Sequence, residues 1–363
     1  MTRTVIMREI ATLIPKGSRE RIRFELPGPW TTPITGSLLL PFESGINPHI
    51  HGIEEQNLAW ALDQRLILPS ERGLIDSLRR CQFEQLSALA HRDCSRKALE
   101  LVANSQTAIF VLDDMLDSET SIIGGDVELA THVADYLSAT VAAEPAPSLR
   151  IDVPRRDRIV AVGRAFHNVA LRLLEYTDRE GLRHYVAGMR SYLLGCVMES
   201  QRRRAQVGDL SEYTSIRLRC SAVYPCLDTG AIVEGFTVPT AIWHDPAFRM
   251  MRTVTNLCVS FVNDLFSYAK EAAAGEFSNI VSVYRLAYGM NLEQAFEASV
   301  EMNDSIVGEY LDARAELERR HELDEGTRGY IKLMEHWMRG NFDWYHQQRT
   351  DRYVEHLTTA IPA

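Results

Sequence analysis

The chain has 363 residues, a formal net charge of −10 at pH 7, and a hydrophobic content of 45%. This composition is sufficient for a sizeable core, and the negative charge argues against nucleic acid or an anionic membrane surface as a partner. Six cysteines without a C-x-x-C pair, and the absence of an apolar run long enough to span a membrane, predict reduced thiols and a cytoplasmic protein.

The first 50 residues are dominated by a segment rich in proline and glycine. Pro27, Pro29, Pro33, Pro41 and Pro48 lie within residues 24–48 together with three glycines. This density excludes a long helix. We therefore expect residues 1–50 to form an extended arm over a core, with a short helix within residues 1–18, and residues 51–363 to form a single α-helical domain.

From residue 51 onward, apolar residues recur at spacings of three and four, which is typical of amphipathic helices. The predicted helices cover residues 53–64, 72–90, 95–116, 127–143, 157–176, 182–207, 210–226, 247–274, 280–288, 291–321 and 325–357. No stretch alternates convincingly with the period of two expected of a strand. The pattern predicts an all-α fold of ten or eleven helices, with Pro225 bending or breaking the helix over residues 210–226.

The helix predicted over residues 95–116 ends in a cluster of carboxylates. The run over residues 102–112, apolar with few polar interruptions, is followed by Asp113, Asp114 and Asp117. Residues four apart share one helix face, so Asp113 and Asp117 lie about one turn apart, where like charges repel. A divalent cation would remove that repulsion, and Mg²⁺ prefers carboxylate oxygens and often bridges to a substrate phosphate.

A second oxygen-rich stripe lies on the helix predicted over residues 247–274. Asn263, Ser267 and Glu271 are spaced by four residues and therefore share one face. An amide oxygen, a hydroxyl and a carboxylate suit Mg²⁺, and Lys270 beside them supplies a point charge for phosphate. A solvated polar face explains either motif alone, but two such motifs, each preceded by an apolar turn, favour metal binding.

The first motif, Asp113-Asp114-Met115-Leu116-Asp117, resembles the DDxxD motif of class I terpene synthases, and residues 263–271 match their NDxxSxxKE motif. Further matches run from Leu40 through Trp60 to Trp344, and the chain is most similar to the microbial single-domain enzymes. The resemblance implies a class I terpenoid synthase helical bundle around a central apolar cavity. Two alternatives stay open: a chain-elongating prenyltransferase, which would carry a second DDxxD motif at residues 263–271, and a non-catalytic scaffold, which would be expected to have lost metal ligands.

The resemblance also implies the ligands of the cofactor and of the substrate. Three Mg²⁺ ions, for which Mn²⁺ can substitute, would be held by Asp113, Asp114, Asp117, Asn263, Ser267 and Glu271. Arg217, in a Glu-Tyr-x-x-x-Arg context, would sense the diphosphate, which Lys270, Arg352 and Tyr353 would also contact. Arg349 is the alternative to Arg352, because Arg352 lies about two residues further from Trp344 than the family pattern has it.

The positions that follow the sensor arginine depart from the family pattern. Cys220 and Ser221 stand where the family often has a polar or acidic linker residue and a small effector residue. Ser221 keeps the small size, whereas a thiol is a weak hydrogen-bond partner.

The implied substrate is a linear isoprenyl diphosphate, either farnesyl or geranylgeranyl diphosphate, and the product is a sesquiterpene or a diterpene. Phe110 and Trp344 are expected to face the cavity and to stabilise a carbocation through cation–π interactions, whereas Phe261 is expected in the core. Ala108 and Ile109 stand where farnesyl-using relatives often have bulky aromatics, so both substrate lengths stay open. A homodimer is also left open, and no nucleic acid or membrane-spanning partner is expected.

Overall fold

The computed structural model describes residues 21–26, 28–30, 33–116, 126–142, 156–202 and 208–348, and helices dominate this part of the chain. The all-α prediction is therefore confirmed. The short helix predicted within residues 1–18 and the end of the last predicted helix lie outside the described residues. The described helices are α1 (Ile53–Asp63), α2 (Arg72–Cys81), α3 (Phe83–Ala90), α4 (Arg96–Leu116), α5 (Val127–Thr140), α6 (Arg156–Leu173), α7 (Arg183–Arg202), α8 (Leu210–Cys220), α9 (Val223–Glu234), α10 (Thr240–Trp243), α11 (Pro246–Ala274), α12 (Ile280–Tyr288), α13 (Leu292–Arg320) and α14 (Glu325–Gln348).

Two short strands precede the helices. Strand β1 (Arg21–Glu25) pairs antiparallel with β2 (Thr35–Leu39), with Arg21 opposite Leu39. The backbone N–H of Leu39 donates to Oδ1 of Asp304 at 2.7 Å, and Arg21 forms an ion pair with the same carboxylate at 2.5 Å. The proline-rich segment thus contains a hairpin anchored to α13, which the sequence pattern did not predict because each strand is only five residues long.

Two of the predicted helices are each divided in two. The helix predicted over residues 72–90 is interrupted at Gln82, and the one over residues 210–226 at Ala222, both with the left-handed backbone (φ of 49° and 58°). Pro225 lies three residues beyond the second break, inside the first turn of α9, where its missing N–H removes no helical hydrogen bond. The break was expected at the proline and occurs instead at Ala222.

The helices that carry the two motifs pack around the break between α8 and α9. Helix α9 contacts α4, α7, α11 and α14, and α11 contacts α8 and α14. The close approach of α7 depends on Gly195, because a Cβ atom there would lie 2.5 Å from the backbone nitrogen of Cys220. The carboxyl end of α8 is therefore held between α7 and the helices that bear the acidic residues.

Within the described ranges, no helix is both long enough and apolar enough to cross a membrane.

Candidate active site

A cavity lies among α3, α4, α8, α9, α11 and α14, with about 690 Å³ of space including its open side. Most of its wall is apolar or aromatic, with Ile109, Phe110, Val259, Trp337 and Trp344 among the contributing side chains. Its polar wall includes Asp113, Arg217 and Asn263. Side chains from both predicted metal motifs and the predicted sensor arginine therefore face one space, although they are distant along the chain.

The first motif ends helix α4. Asp113 is half-buried and lines the cavity, whereas Asp114 is exposed and does not contribute to the wall. Asp117 lies outside the described residues. Without Asp117, the described part of the chain contains no group of three or more His, Cys, Asp or Glu side chains that could hold a metal.

Asn263 is held by hydrogen bonds at both ends of its amide. Its Oδ1 accepts from Nη2 of Arg217 at 2.5 Å, and its Nδ2 donates to the hydroxyl of Tyr345 at 2.5 Å. Tyr345 also lines the cavity, and its ring stacks on Phe266 with 5.2 Å between centroids. These contacts direct the amide oxygen of Asn263 towards the guanidinium.

Ser267 and Glu271 continue the stripe along α11. Ser267 Oγ is buried and has no hydrogen bond of ordinary geometry to any described residue, although it is near enough to Glu271 to lower the pKa of that carboxyl. Glu271 accepts from Nδ2 of Asn279 at 2.9 Å. Burial, with the charge of Asp264 adding to it, raises the pKa of Glu271 to about 7. A hard cation would satisfy both the orphaned hydroxyl and the buried carboxylate, so this donor set fits Mg²⁺.

Arg217 is anchored by a carboxylate that was not predicted to have a role. Its Nη2 donates to Oδ1 of Asp264 at 2.8 Å. Asp264 also accepts from the Tyr213 hydroxyl and from the backbone N–H of Ile280. Burial alone would lower the pKa of Arg217, but the charge of Asp264 and those of its other acidic neighbours together outweigh burial and hold that pKa well above its ordinary value. The guanidinium is therefore a permanent cation on the cavity wall.

Cys220 and Ser221 lie at the end of α8, one turn beyond the arginine. The backbone N–H of Ser221 donates to the carbonyl of Arg217 at 3.2 Å, and its hydroxyl donates to Oδ1 of Asn256 at 2.8 Å. Burial, together with the charge of Glu199, raises the pKa of the Cys220 thiol well above its ordinary value. Both residues line the cavity, with Cys220 as a neutral thiol.

The two predicted aromatic residues are neighbours on the wall. Phe110 stacks on Phe83 with 3.8 Å between ring centroids and lies 6.2 Å from Trp344. The indole Nε1 of Trp344 donates to the carbonyl of Cys81 at 3.2 Å, which fixes the ring. Phe261 is buried against Tyr213 and does not line the cavity.

Of the other predicted diphosphate contacts, Lys270 lies within the described residues. Lys270 is partly buried and does not contribute to the cavity wall. Arg349, Arg352 and Tyr353 lie outside the described residues.

Three residues that matter for the geometry of the site were missed by sequence reasoning: Gln106, Asp264 and Tyr345. Gln106 lies seven residues before Asp113, a spacing that keeps it on nearly the same helix face. That spacing was the available signal for Gln106, whereas the partners of Asp264 and Tyr345 are distant along the chain.

The chain is similar to known proteins over most of its length. The family model for terpene synthase family 2, C-terminal metal binding, matches residues 106–309, which include Asp113 and the motif over residues 263–271. Pristinol synthase of Streptomyces pristinaespiralis is 28% identical to the chain, and the match covers 90% of this chain and 87% of that protein. Germacrene A synthase of Nostoc punctiforme is 25% identical over 88% of this chain and 96% of that protein.

The fold is likewise similar to solved structures. The crystal structure of germacradien-4-ol synthase from Streptomyces citricolor matches 86% of this chain and 98% of its own with a TM-score of 0.70 at 22% identity. That of a-eudesmol synthase matches 84% and 97% with a TM-score of 0.71 at 23% identity.

Proposed function

Because the chain belongs to terpene synthase family 2 and is a class I terpene cyclase of the microbial type, we propose that it is a Mg²⁺-dependent sesquiterpene cyclase. It ionises farnesyl diphosphate, cyclises the resulting carbocation and releases diphosphate. The observation that carries this proposal is the single cavity in which Asp113, Arg217 and Asn263 meet an otherwise largely apolar wall. A polar, cationic corner suits a leaving diphosphate, and the apolar remainder suits a hydrocarbon.

The choice of farnesyl diphosphate follows from the relatives. Two of them, from Streptomyces viridochromogenes and Roseiflexus castenholzii, are named as enzymes that cyclise farnesyl diphosphate. They are 23% and 25% identical to this chain and cover most of its length. The sequence alone left farnesyl and geranylgeranyl diphosphate equally open, and this similarity supports the proposal of the shorter substrate.

The metal would be held at two places. Asp113, Asp114 and Asp117 would bind on one side of the diphosphate, and Asn263, Ser267 and Glu271 on the other, with three Mg²⁺ ions in all and Mn²⁺ as a substitute. Bound there, the ions would neutralise the charge that develops on the leaving diphosphate. The orphaned Ser267 hydroxyl and the buried Glu271 carboxylate support this assignment.

The protein's own groups would complete the ionisation. Arg217, a permanent cation, can grip diphosphate oxygens through its planar fork of donors. Lys270, Arg352 and Tyr353 are the further proposed contacts. Because the N–H of Ser221 bonds to the Arg217 carbonyl, a shift of Arg217 towards diphosphate would move Ser221 on the cavity wall.

The apolar wall would then govern the carbocation. The wall keeps bulk water away and folds the isoprenyl chain of the substrate. The rings of Phe110 and Trp344 offer their negative faces to the cation. Cation–π attraction in a desolvated site is worth about 2 kcal/mol. We propose that the reaction takes place in the cytoplasm. Light scattering of the purified enzyme would decide whether it is a homodimer.

The test is incubation of the purified protein with geranyl, farnesyl and geranylgeranyl diphosphate, each with Mg²⁺, Mn²⁺ or a chelator. Diphosphate release and gas chromatography–mass spectrometry of the organic extract are measured. A cyclic sesquiterpenoid formed from farnesyl diphosphate only with metal is the expected result. A scaffold would release no diphosphate, and a prenyltransferase would need isopentenyl diphosphate and would make a longer linear diphosphate.

A further inference from the structure

A buried amide on the wall of the cavity lacks a partner. Gln106, on α4, is 3% exposed and lines the cavity. Its Nε2 atom has no hydrogen-bond partner among the described residues. Its Oε1 atom lies 2.8 Å from the hydroxyl of Ser87. An unpaired polar group in an apolar interior is costly, so this amide needs an explanation outside the fold.

One end of the Gln106 amide is unpaired whichever way the amide is turned. The Ser87 hydroxyl has one proton and two neighbouring acceptors, Gln106 Oε1 at 2.8 Å and the carbonyl of Phe83 at 3.0 Å. If the proton goes to Gln106, the amide NH₂ is left for the cavity. If it goes to Phe83, Ser87 accepts from the NH₂ and the amide oxygen is left instead. In both cases one end is tied to Ser87 and the other is unpaired.

The substrate cannot supply the missing partner. Gln106 lies two helical turns from Asp113 on nearly the same face, a distance of about 10 Å along the helix axis. A diphosphate bound at Asp113 is therefore out of reach of the amide. Apart from its diphosphate, an isoprenyl chain is a hydrocarbon with no atom that hydrogen-bonds to an amide. The partner must be a small polar molecule inside the cavity.

Two further polar residues, both from α14, line the same cavity. Trp337 is 3% exposed, and its indole Nε1 also has no partner among the described residues. Asn341 donates from Nδ2 to the carbonyl of Val259 at 3.1 Å, so its amide oxygen remains for the cavity. A buried water molecule requires about two to four polar partners, and this wall offers three.

We propose that Gln106, with Trp337 and Asn341, binds a water molecule that attacks the final carbocation, so that the product is a cyclic terpene alcohol. This inference rests on the proposed cyclase function and specifies its product class. When the amide oxygen of Gln106 is the end that faces the cavity, that oxygen and Asn341 Oδ1 accept the two protons of the water, and Trp337 Nε1 donates to one lone pair. The other lone pair is then free for the cation. In the step, that lone pair forms a C–O bond to the carbocation, and the oxonium passes one proton to the amide oxygen that already accepts its hydrogen bond, from which the proton reaches solvent when the product leaves. Substrate and water thus become the alcohol, diphosphate and a proton, with no oxidant or reductant.

The experiment determines whether the oxygen atom of the product comes from water. Wild-type protein, farnesyl diphosphate and Mg²⁺ are incubated in water labelled with the heavy oxygen isotope, and the extract is analysed by mass spectrometry. The main product is expected to be an alcohol that carries the heavy oxygen. Gln106→Leu should lower the alcohol fraction about tenfold in favour of hydrocarbons, with the rate of diphosphate release changing less. Gln106→Met serves as a second variant, and both are compared by thermal unfolding because a role in folding alone would change stability without changing the product ratio.

The control is Gln201→Leu, the same substitution at an exposed glutamine of α7 that does not line the cavity, and it should keep the alcohol fraction. Hydrocarbon as the only wild-type product, formed with normal diphosphate release, would overturn this inference and leave the cyclase function intact. Unchanged alcohol fractions in folded Gln106→Leu and Gln106→Met would also overturn it. If no diphosphate is released from any isoprenyl substrate, the proposed function fails and this inference fails with it.

Discussion

Arg217 donates from Nη2 to Oδ1 of Asn263 at 2.5 Å. The proposed diphosphate sensor is therefore hydrogen-bonded to the same oxygen that would coordinate the metal. The same Nη2 also bonds to Asp264 at 2.8 Å. A cation cannot bind Asn263 Oδ1 while the guanidinium remains against it, because the two charges repel at that distance. Metal binding at Asn263 therefore requires Arg217 to move away, and this frees its donors for diphosphate.

This competition predicts an unusual effect of Arg217→Ala. We expect the variant to bind Mn²⁺ about tenfold more tightly than wild type in the absence of diphosphate, since a cation is removed from the site. Turnover should fall about a hundredfold, since a charge-stabilising donor is lost. The free-ion signal in electron paramagnetic resonance measures the first quantity, and diphosphate release measures the second.

Arg219→Ala is the matched control for this variant, because Arg219 has the same charge on the same helix but is exposed and bonds to the carbonyl of Ser215. If Arg217→Ala binds Mn²⁺ no more tightly than Arg219→Ala, the competition does not exist.

The two metal motifs can be tested one ligand at a time. Asp113→Ala and Asn263→Ala should each reduce turnover by about a thousandfold, because the metal that neutralises the leaving group is lost. Far-UV circular dichroism should stay unchanged, since neither residue is in the apolar core. Asp135→Ala, at an exposed position on α5, should keep full turnover. Full activity in either ligand variant would refute the assigned role.

Tyr345→Phe tests whether the orientation of Asn263 matters. The variant removes the hydroxyl that accepts from Asn263 Nδ2 and keeps the ring that stacks on Phe266. Loss of a residue that orients a metal ligand typically costs about tenfold in metal affinity. We expect the Mg²⁺ concentration for half-maximal activity to rise by that factor, with a smaller change in kcat. An unchanged Mg²⁺ dependence would mean that Tyr345 only fills space.

The parts of the fold that sequence predicted are those set by local periodicity. Helix α4 and its terminal carboxylates follow from apolar spacing, and the stripe Asn263, Ser267, Glu271 follows from helical geometry. The breaks at Gln82 and Ala222 could not be predicted in this way, because both are ordinary residues in the left-handed conformation. Such a conformation is imposed by packing and is not a preference of either side chain.

In the candidate site, too, the local pattern was predictable from sequence and the packing was not. Residue types and spacing indicate which oxygens can bind a metal, but they do not indicate what holds those oxygens in place. Asp264 supports Arg217 from 47 positions away, and Tyr345 supports Asn263 from 82 positions away. Contacts of that kind exist only once the helices have packed.

Gly195→Ala should disturb the end of α8. The added Cβ would lie 2.5 Å from the backbone nitrogen of Cys220 and 2.7 Å from the backbone carbonyl carbon of Arg219, so α7 must move. Overpacking of this kind costs about 1–3 kcal/mol. We expect a loss of that size in the free energy of unfolding, measured with urea, together with a changed product ratio because Cys220 and Ser221 line the cavity.

Gly73→Ala provides the comparison for this change. Gly73 lies within α2, and a Cβ there would meet nothing within 4 Å. The substitution should leave stability equal or raise it by about 0.4–1 kcal/mol. Equal effects of the two substitutions would show that the close approach at Gly195 has no energetic importance.

Glu84→Gln should change how stability depends on pH. Glu84 is 5% exposed and follows Phe83, the ring on which Phe110 stacks. Burial, with the charges of Glu54 and Glu55 adding to it, raises the pKa of Glu84 from 4.5 to about 7. The folded state therefore holds the proton more tightly than the unfolded chain does. Its contribution to stability is fully present below about pH 4.5 and is lost as pH rises through about 7.

Glutamine stays neutral, so the variant should match wild type near about pH 4 and exceed it by roughly 3 kcal/mol near about pH 8. Urea unfolding at both pH values measures the difference, and Glu297→Gln, at an exposed position on α13, should show none. Equal stability of Glu84→Gln and wild type at the higher pH would mean that the carboxylate is solvated in the folded protein. A gain confined to the higher pH would mean that the protein keeps an unfavourable charge behind the aromatic wall of its cavity.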